Sequence, residues 1–213
     1  MEVAERPPKQ RTELRQASLI EAALRLASQR SPADITTAHL AQAVGISQGA
    51  VFRHFPSKEA IWLAALDWVT ETLMTQLHTA AEEAQRNTPD PMDALCAVFH
   101  AHVDFVLAHP GVPRLIFQEL QSAKDTALKL RVRMLMQKYR QLLLNLLQLA
   151  QTQQGLRPDI DLQAAAVLFI GSIQGLVMQA LISNDLPAMA AHAPGVFGIF
   201  QRGVQQSPYD LRT

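Results

Sequence analysis

Residues 35–61 read ITTAHLAQAVGISQGAVFRHFPSKEAI, and this stretch decides the fold of the chain. Thr36 or Thr37 can cap a first short helix, because a threonine hydroxyl accepts an otherwise unpaired backbone N–H. Gly45 ends that helix, since glycine adopts left-handed backbone geometry without a steric penalty. Ser47 then caps a second helix. The spacing therefore predicts two short helices joined by a tight turn.

A third, longer helix begins directly after the second one. Pro56 ends the second helix, and Ser57 can cap the third. Val51 and Phe55 give the second helix an apolar inner face. An amphipathic helix over residues 12–29 should pack on these elements and complete a three-helix head. In a helix-turn-helix, the second helix enters the major groove of DNA, so the pattern predicts a DNA-binding head.

The chain carries the motif TT-x-x-L-A-x-x-V-G-I-S-x-G-A-V-F-x-H-F-x-S-K-E-A-I over residues 36–61. This motif resembles the DNA-binding signature of the TetR family of transcriptional regulators. The resemblance implies an N-terminal head that binds DNA and a C-terminal helical domain that binds a small effector and dimerises. Phe52 departs from the pattern, because the family usually has a tyrosine there whose hydroxyl often reaches a phosphate.

Ten residues of the head are predicted to contact DNA. Gln48 can pair with a base edge, and Arg53 can reach guanine or phosphate. Lys58, at the start of a helix, suits a phosphate. Alone, each of these side chains would be an ordinary surface residue, and the motif is what favours a DNA contact. The full set is Thr36, Thr37, Ser47, Gln48, Gly49, Ala50, Phe52, Arg53, His54 and Lys58.

Composition favours an all-α protein with about nine helices. The chain has 213 residues, 48% of them hydrophobic, and strand-like alternation is almost absent. Net charge is zero, so charge alone gives little reason to expect nucleic acid. The single Cys96 excludes an internal disulfide and fits a reducing cytoplasm. The N-terminal residues are unlike a secretion signal, and we expect a cytoplasmic protein.

The sequence predicts three segments. Residues 1–11 are expected to form a disordered basic arm, in which Arg6, Lys9 and Arg11 either touch DNA or are simply solvated. Residues 12–60 form the DNA-binding domain, and residues 61–213 form the ligand-binding and dimerisation domain. Within the latter, a charge-free stretch over 162–182 is long enough to span a bilayer. Its glutamines favour a helix buried in a core and a subunit interface instead.

An effector site in the C-terminal domain is implied by the family resemblance. Aromatic and polar residues on otherwise apolar faces are candidates for its lining. A core histidine and a glutamine with satisfied hydrogen bonds are the alternative for His102 and Gln174. The apolar character of the set favours a hydrophobic or aromatic effector. The candidates are Trp68, Phe99, His102, Phe105, Arg114, Phe117, Gln118, Gln121, Tyr139 and Gln174.

Dimerisation through the last two helices is also implied by the resemblance. A pattern of small residues, Gly171 and Gly175, permits close approach of another helix. A symmetric contact would use the same surface on both subunits. The predicted contact residues are Leu168, Gly171, Gly175, Met178, Phe197, Phe200 and Val204.

Motifs of enzymes and metal sites are absent from the sequence. There is no phosphate-binding glycine loop, no GxSxG elbow and no HExxH or Cys/His spacing. We expect no catalytic residue, no cofactor and no metal. The sequence predicts a homodimeric repressor that a small effector releases from a palindromic operator. An activator of the same family, or a small-molecule-binding or membrane-associated protein with a vestigial head, is the alternative.

Overall fold

The structure is a computed structural model that describes residues 8–205, apart from the side chains of residues 8–11. Nine α-helices and no β-strand occur in this described range, which confirms the predicted all-α fold. The helices are α1 (Pro8–Ala27), α2 (Thr37–Val44), α3 (Gln48–His54), α4 (Lys58–Asn87), α5 (Pro91–Ala108), α6 (Gly111–Gln121), α7 (Ala127–Thr152), α8 (Leu162–Ser183) and α9 (Leu186–Val204).

The predicted disordered arm differs from the structure in its second half. Helix α1 begins at Pro8, so residues 8–11 are helical, and this part of the prediction was wrong. Proline is favourable at the first position of a helix because its fixed φ suits helical geometry and its missing N–H is not needed there. Residues 1–7, which include Arg6, lie outside the described residues.

Side-chain caps and one glycine define the helix-turn-helix. Thr36 caps α2 in a reciprocal capping box with His39, whose Nδ1 accepts the Thr36 N–H (3.2 Å). Gly45 ends α2 with a left-handed φ of 70°. Ser47 caps α3, and the Ser57 hydroxyl accepts a backbone N–H in the first turn of α4. These are the breaks that the sequence predicts.

The chain divides into two compact units that do not follow the predicted boundary at residue 60. The first comprises the described residues up to Thr70 together with His109–Arg133, and the second comprises Glu71–Ala108 with the described residues from Met134 onward. Helix α6 and the start of α7 therefore group with the head. Helices α4 and α7 each continue from one unit into the other.

In the first unit, α6 packs closely on α1. Gly111, the first residue of α6, lies against the α1 backbone. A Cβ placed on Gly111 would overlap the carbonyl oxygen of Leu24 and approach the Ser28 nitrogen to 3.0 Å. Both neighbours are backbone atoms, which cannot rotate away. Only glycine therefore fits at this contact without a shift of one helix.

In the second unit, an aromatic cluster joins α5, α8 and α9. Phe99 is fully buried and meets Phe169 edge-on, with ring centroids 5.3 Å apart. Phe197 lies 5.4 Å from Phe99, and Phe200 lies 5.3 Å from Phe169. Aromatic pairs in such tilted and edge-to-face arrangements add to the stabilisation that burial alone provides.

Two helices among the described residues are long and apolar enough to cross a membrane, judged by length and composition only. They are α5 and α8, and in each the apolar window is 44% buried inside the protein. Core helices of soluble proteins commonly have the same length and hydropathy. This finding is weak evidence for a membrane.

We expect Gly111→Ala to destabilise the first unit. The added methyl group collides with the α1 backbone, and overpacking of this kind costs about 1–3 kcal/mol. The free energy of unfolding, measured by urea denaturation, checks the effect. Gly203→Ala in α9 is the control, because a Cβ there meets nothing within 4 Å. The control should be neutral or stabilising, and an equal loss in both variants would contradict the packing argument.

Candidate nucleic-acid interface

Helix α3 divides its residues between an inner and an outer face. Val51 and Phe55 are buried, as predicted from their spacing. The outer face carries Gln48, Gly49, Phe52 and Arg53, all exposed, and Phe52 keeps 48% of its surface accessible. These four positions recur at i, i+1, i+4 and i+5, so they lie on one side of the helix.

Ala50 differs from the prediction, because it is buried rather than turned towards a groove. It lies beside Val51 and one turn before His54, on the side of α3 that faces the head. Its N–H is also bonded to the capping hydroxyl of Ser47 (3.2 Å). Ala50 therefore packs within the head.

A hydrogen bond fixes the first side chain of α3. The Gln48 Nε2 donates to the Thr37 hydroxyl oxygen (2.8 Å), which belongs to the first turn of α2. One N–H and the carbonyl oxygen of the Gln48 amide remain for other partners. Gln48, which is predicted to read a base, is thus held by Thr37, which is predicted to contact a phosphate.

His54 connects α3 to α1. Its carbonyl oxygen accepts a hydrogen bond from the Gln16 Nε2 (3.1 Å). Its ring Nδ1 is buried and has no hydrogen-bond partner among the residues that the structure describes. Any DNA contact of this imidazole is therefore restricted to Nε2.

Lys58 lies at the start of α4 and is partly buried. Its ammonium donates to the carbonyl oxygen of Ala33 (2.7 Å), in the short 3-10 turn Pro32–Asp34 between α1 and α2. Burial lowers the pKa of Lys58, and the nearby carboxylate of Asp34 partly opposes that shift.

Thr36 and Ser47, which cap α2 and α3, are exposed. Their caps use the hydroxyl oxygens as acceptors, so the O–H groups can still donate to a phosphate.

Comparison with known families decides what this head belongs to. The sequence profile described as "Bacterial regulatory proteins, tetR family" matches residues 19–65, and the profile "Tetracyclin repressor-like, C-terminal domain" matches residues 116–194. Together they cover more than half of the chain. The chain belongs to the TetR family. It is a DNA-binding transcription regulator with a helix-turn-helix, as its motif predicts.

Similar proteins cover most of this TetR-family chain. It is 29% identical to the nucleoid occlusion factor SlmA of Glaesserella parasuis serovar 5 (strain SH0165), over 83% of this chain and 86% of that protein. A TetR transcriptional regulator from Chloroflexus aurantiacus J-10-fl superimposes with a TM-score of 0.77, at 20% identity, over 93% of this chain and 100% of the other. FadR from Bacillus subtilis, solved in complex with stearoyl-CoA, gives a TM-score of 0.72, at 16% identity, over 89% and 99%. The two structures establish the fold alone.

Five of the predicted effector-site residues of the TetR-family chain lie in the first unit. Trp68 is half-buried and meets the His109 ring edge-on, with centroids 5.1 Å apart. Arg114 and Phe117 are also half-buried. Gln121 is exposed, so the structure does not support it as a lining residue. Gln118 forms hydrogen bonds to the turn between α1 and α2, and this contact was not predicted from the sequence.

The other five predicted effector-site residues lie in the second unit. Phe99, Phe105 and Tyr139 are buried there. His102 shares a hydrogen bond with Tyr139, 3.1 Å from Nδ1 to the phenolic oxygen. This is the satisfied core histidine that the sequence left as an alternative. Gln174 was misplaced by the prediction, because it is exposed on the outer side of α8.

The predicted dimer residues of α8 and α9 fall into two groups. Leu168, Gly171, Gly175 and Met178 are exposed together on α8. A second group on α9 is buried within the subunit, so its predicted contact with a partner was wrong. The reason is that α9 uses this stripe to pack on α5 and α8, as the aromatic contacts show. The buried residues are Phe197, Phe200 and Val204.

Three exposed apolar residues were missed by the sequence reasoning. Val167 and Ile182 on α8, and Ile199 on α9, are largely accessible, Ile182 at 70%. For the two residues on α8 the sequence carried a signal, because a helix that has no charged residue exposes apolar side chains on its outer side. Among the described residues, no three His, Cys, Asp or Glu side chains come close enough to hold a metal ion.

His102 should make stability depend on pH below neutrality. Burial lowers the pKa of His102 from 6.5 to about 4, so between these values the unfolded chain binds a proton that the folded chain does not. The free energy of unfolding that the neutral His102 contributes is therefore complete above pH 6.5. It is lost as the pH falls towards 4. We expect His102→Asn, which does not titrate, to reduce this acid loss by up to about 3 kcal/mol.

Urea unfolding at neutral pH and at pH near the lowered value measures the difference. His78→Asn is the control, since His78 is exposed on α4. An acid loss that is the same in the His102 variant as in the unaltered protein would show that another group carries it.

Proposed function

We propose that this protein is a homodimeric repressor that a small hydrophobic or aromatic effector releases from a roughly palindromic operator. One observation carries the proposal: helix α3 presents Gln48, Gly49, Phe52 and Arg53 outward, while its caps and inner face hold it in place. Exposed polar groups on a fixed short helix suit the major groove. Because its target is DNA, we place the protein in the cytoplasm.

Base reading is assigned to Gln48 and Arg53. With one N–H bonded to Thr37, the Gln48 amide offers a carbonyl oxygen and a second N–H. That pair matches N6 and N7 of adenine in the major groove. Arg53 can pair with guanine or with a phosphate. Gly49, which has no side chain, allows α3 to approach the bases closely.

Phosphate contacts are assigned to the rim of the head. Thr36 and Ser47 retain hydroxyl donors, and Lys58 supplies a charge at a helix start. Phe52 cannot donate a hydrogen bond, so its role is restricted to apolar contact with a thymine methyl or the sugar backbone.

Dimerisation is assigned to the outer face of α8 together with Ile199 of α9. This face has large accessible side chains: Val167, Leu168, Met178 and Ile182 on α8, and Ile199, which is 65% exposed. Apolar patches of this kind mark interaction sites, because water contact with them is unfavourable. Cβ atoms placed on Gly171 and Gly175 meet nothing within 4 Å, which leaves room for a helix of the second copy. Two heads could then occupy half-sites about 34–36 Å apart.

Effector control is assigned to the C-terminal helices. The buried aromatic residues Phe99, Phe105 and Tyr139 suit an apolar ligand. FadR, which shares the fold, was solved with stearoyl-CoA, and this supports a hydrophobic effector. Helix α4 continues without a break from Lys58 to Asn87, so a shift at its far end can reach the head. An effector that prefers the shifted state lowers DNA affinity by linkage.

A second candidate is a DNA-binding role at many chromosomal sites, which the similarity to a nucleoid occlusion factor favours. The two functions differ in the distribution of their sites. A repressor needs a few sites at promoters, whereas a factor that marks the nucleoid needs sites dispersed over the chromosome. Genome-wide mapping of bound DNA separates them.

We expect the double variant His54→Ala, Lys58→Ala to lose specific DNA binding by at least roughly 100-fold, because it removes the charged phosphate contact of Lys58 and the Nε2 contact predicted for His54. Fluorescence anisotropy on a duplex recovered by in vitro selection, at several salt concentrations, measures this loss. Lys138→Ala, an exposed lysine of α7, is the control. If the unaltered protein binds no duplex in a salt-dependent way, the head is vestigial and the repressor proposal fails.

We expect Leu168→Glu to convert the dimer to monomers. Leu168 is 53% exposed on α8, and a carboxylate buried twice across a symmetric contact is costly. The dissociation constant of the dimer should rise by about 100-fold or more. Sedimentation velocity over a concentration series measures it. Leu149→Glu, at an exposed leucine of α7, should remain dimeric, and a dimeric Leu168 variant would remove this face from the proposal.

A further inference from the structure

The turn between α1 and α2 is held by two side chains from distant parts of the sequence. From α6, the Gln118 Oε1 accepts hydrogen bonds from the Ser31 hydroxyl (3.1 Å) and the Ala33 N–H (3.2 Å). From α4, the Lys58 ammonium donates to the Ala33 carbonyl oxygen (2.7 Å). The Ala33 N–H is shared between Gln118 of α6 and the Ser31 hydroxyl oxygen (3.3 Å), and the Ala33 carbonyl is bonded to Lys58, the predicted phosphate-contact residue.

The bond to Ala33 determines where the Lys58 ammonium lies. An ammonium has three N–H donors, so two remain for a phosphate after one is used. A free lysine loses much rotamer entropy when it binds, and a side chain that is already held loses less. Burial lowers the pKa of Lys58, which agrees with an ammonium drawn in towards the turn instead of extended into water.

The position of Gln118 is itself fixed by packing. Helix α6 begins at Gly111, which lies directly against the backbone of Leu24 and Ser28 in α1. At the other end of α6, Thr126 bonds to Glu119 (3.3 Å) and ties the helix to the start of α7. The acceptor oxygen of Gln118 is therefore presented to the turn by a helix that is anchored at both ends.

We propose that Gln118 is a positioning residue for DNA binding, which holds Ala33 so that Lys58 is set for its phosphate contact. The inference rests on the proposed contact between Lys58 and DNA. It extends the DNA-binding machinery to a helix that the motif does not include. A shift of α6 against α1 would then change DNA affinity directly through this turn.

Two variants of Gln118 separate positioning from general stability. Gln118→Met keeps the length of the side chain but removes the acceptor, whereas Gln118→Glu keeps an acceptor oxygen. Gln121→Met, at an exposed glutamine of the same helix, is the matched control. Each variant is combined with Lys58→Met, and thermal unfolding confirms that all remain folded. Dissociation constants are measured against salt on the selected duplex and on an unrelated duplex of equal length, since phosphate contacts are independent of sequence.

We expect Gln118→Met to weaken binding to both duplexes by about threefold to tenfold. Its salt slope should fall by part of the roughly 0.9 per subunit that a lost phosphate contact removes, and Lys58→Met should lose all of it. Gln118→Glu should keep the slope of the unaltered protein. In the Lys58→Met background, Gln118→Met should add no further loss, because the two side chains act through one contact.

The outcomes distinguish this inference from the function on which it rests. If neither duplex is bound in a salt-dependent way, the proposed function fails and the inference fails with it. If Lys58→Met leaves the slope unchanged, the phosphate contact is wrong. If Lys58→Met lowers the slope but Gln118→Met does not, or the two losses add, only the positioning role is overturned. A loss in Gln121→Met as large as in Gln118→Met overturns it as well.

Discussion

The DNA-binding surface depends on keeping a very short helix folded. Helix α3 has seven residues and α2 has eight, and helices of this length are not stable alone in water. Each survives because a side chain caps its first turn and an apolar stripe is buried against the head. Gly49, Phe52 and Arg53, on the outer side of α3, take no part in this capping or burial. They can therefore vary with the operator without changing the fold.

At the edge of the head, the residues that support its fold lie close to a residue that is proposed to contact DNA. The three N-terminal helices bury a small core, and α6 extends it by packing on α1. The turn between α1 and α2 is where this arrangement meets the DNA-facing side, because Gln118 and Lys58 both bond to Ala33. Structural support and the proposed phosphate contact of Lys58 therefore share one backbone segment. The helix-turn-helix motif alone does not include α6, the helix that packs on α1 and supports the head.

The positions of the helices were predicted well from the sequence. The side of a helix on which a given residue lies was predicted less well. Gly45 ends α2 and Ser47 caps α3 at the predicted positions, because glycine and serine are local signals for the ends of helices. Ala50 and Gln174 were assigned to the wrong side, against the general tendency of alanine to be buried and of glutamine to be exposed. The bonds of Gln118 join residues 85 or more positions apart, and no local pattern reports such a contact.

The composition of helix α8 is compatible with three environments: a protein core, a subunit interface and a membrane. It has no charged residue over its 22 positions, which is also expected of a membrane-spanning helix. Its inner side is covered by α5 and α9, but that accounts for only part of its surface. In water, the outer row from Val167 to Ile182 stays exposed unless another surface covers it. The small Gly171 and Gly175 lie within this row and permit close backbone approach. A second helix fits those glycines better than lipid does, since acyl chains need no such gap, and this favours a second copy of the chain over a bilayer.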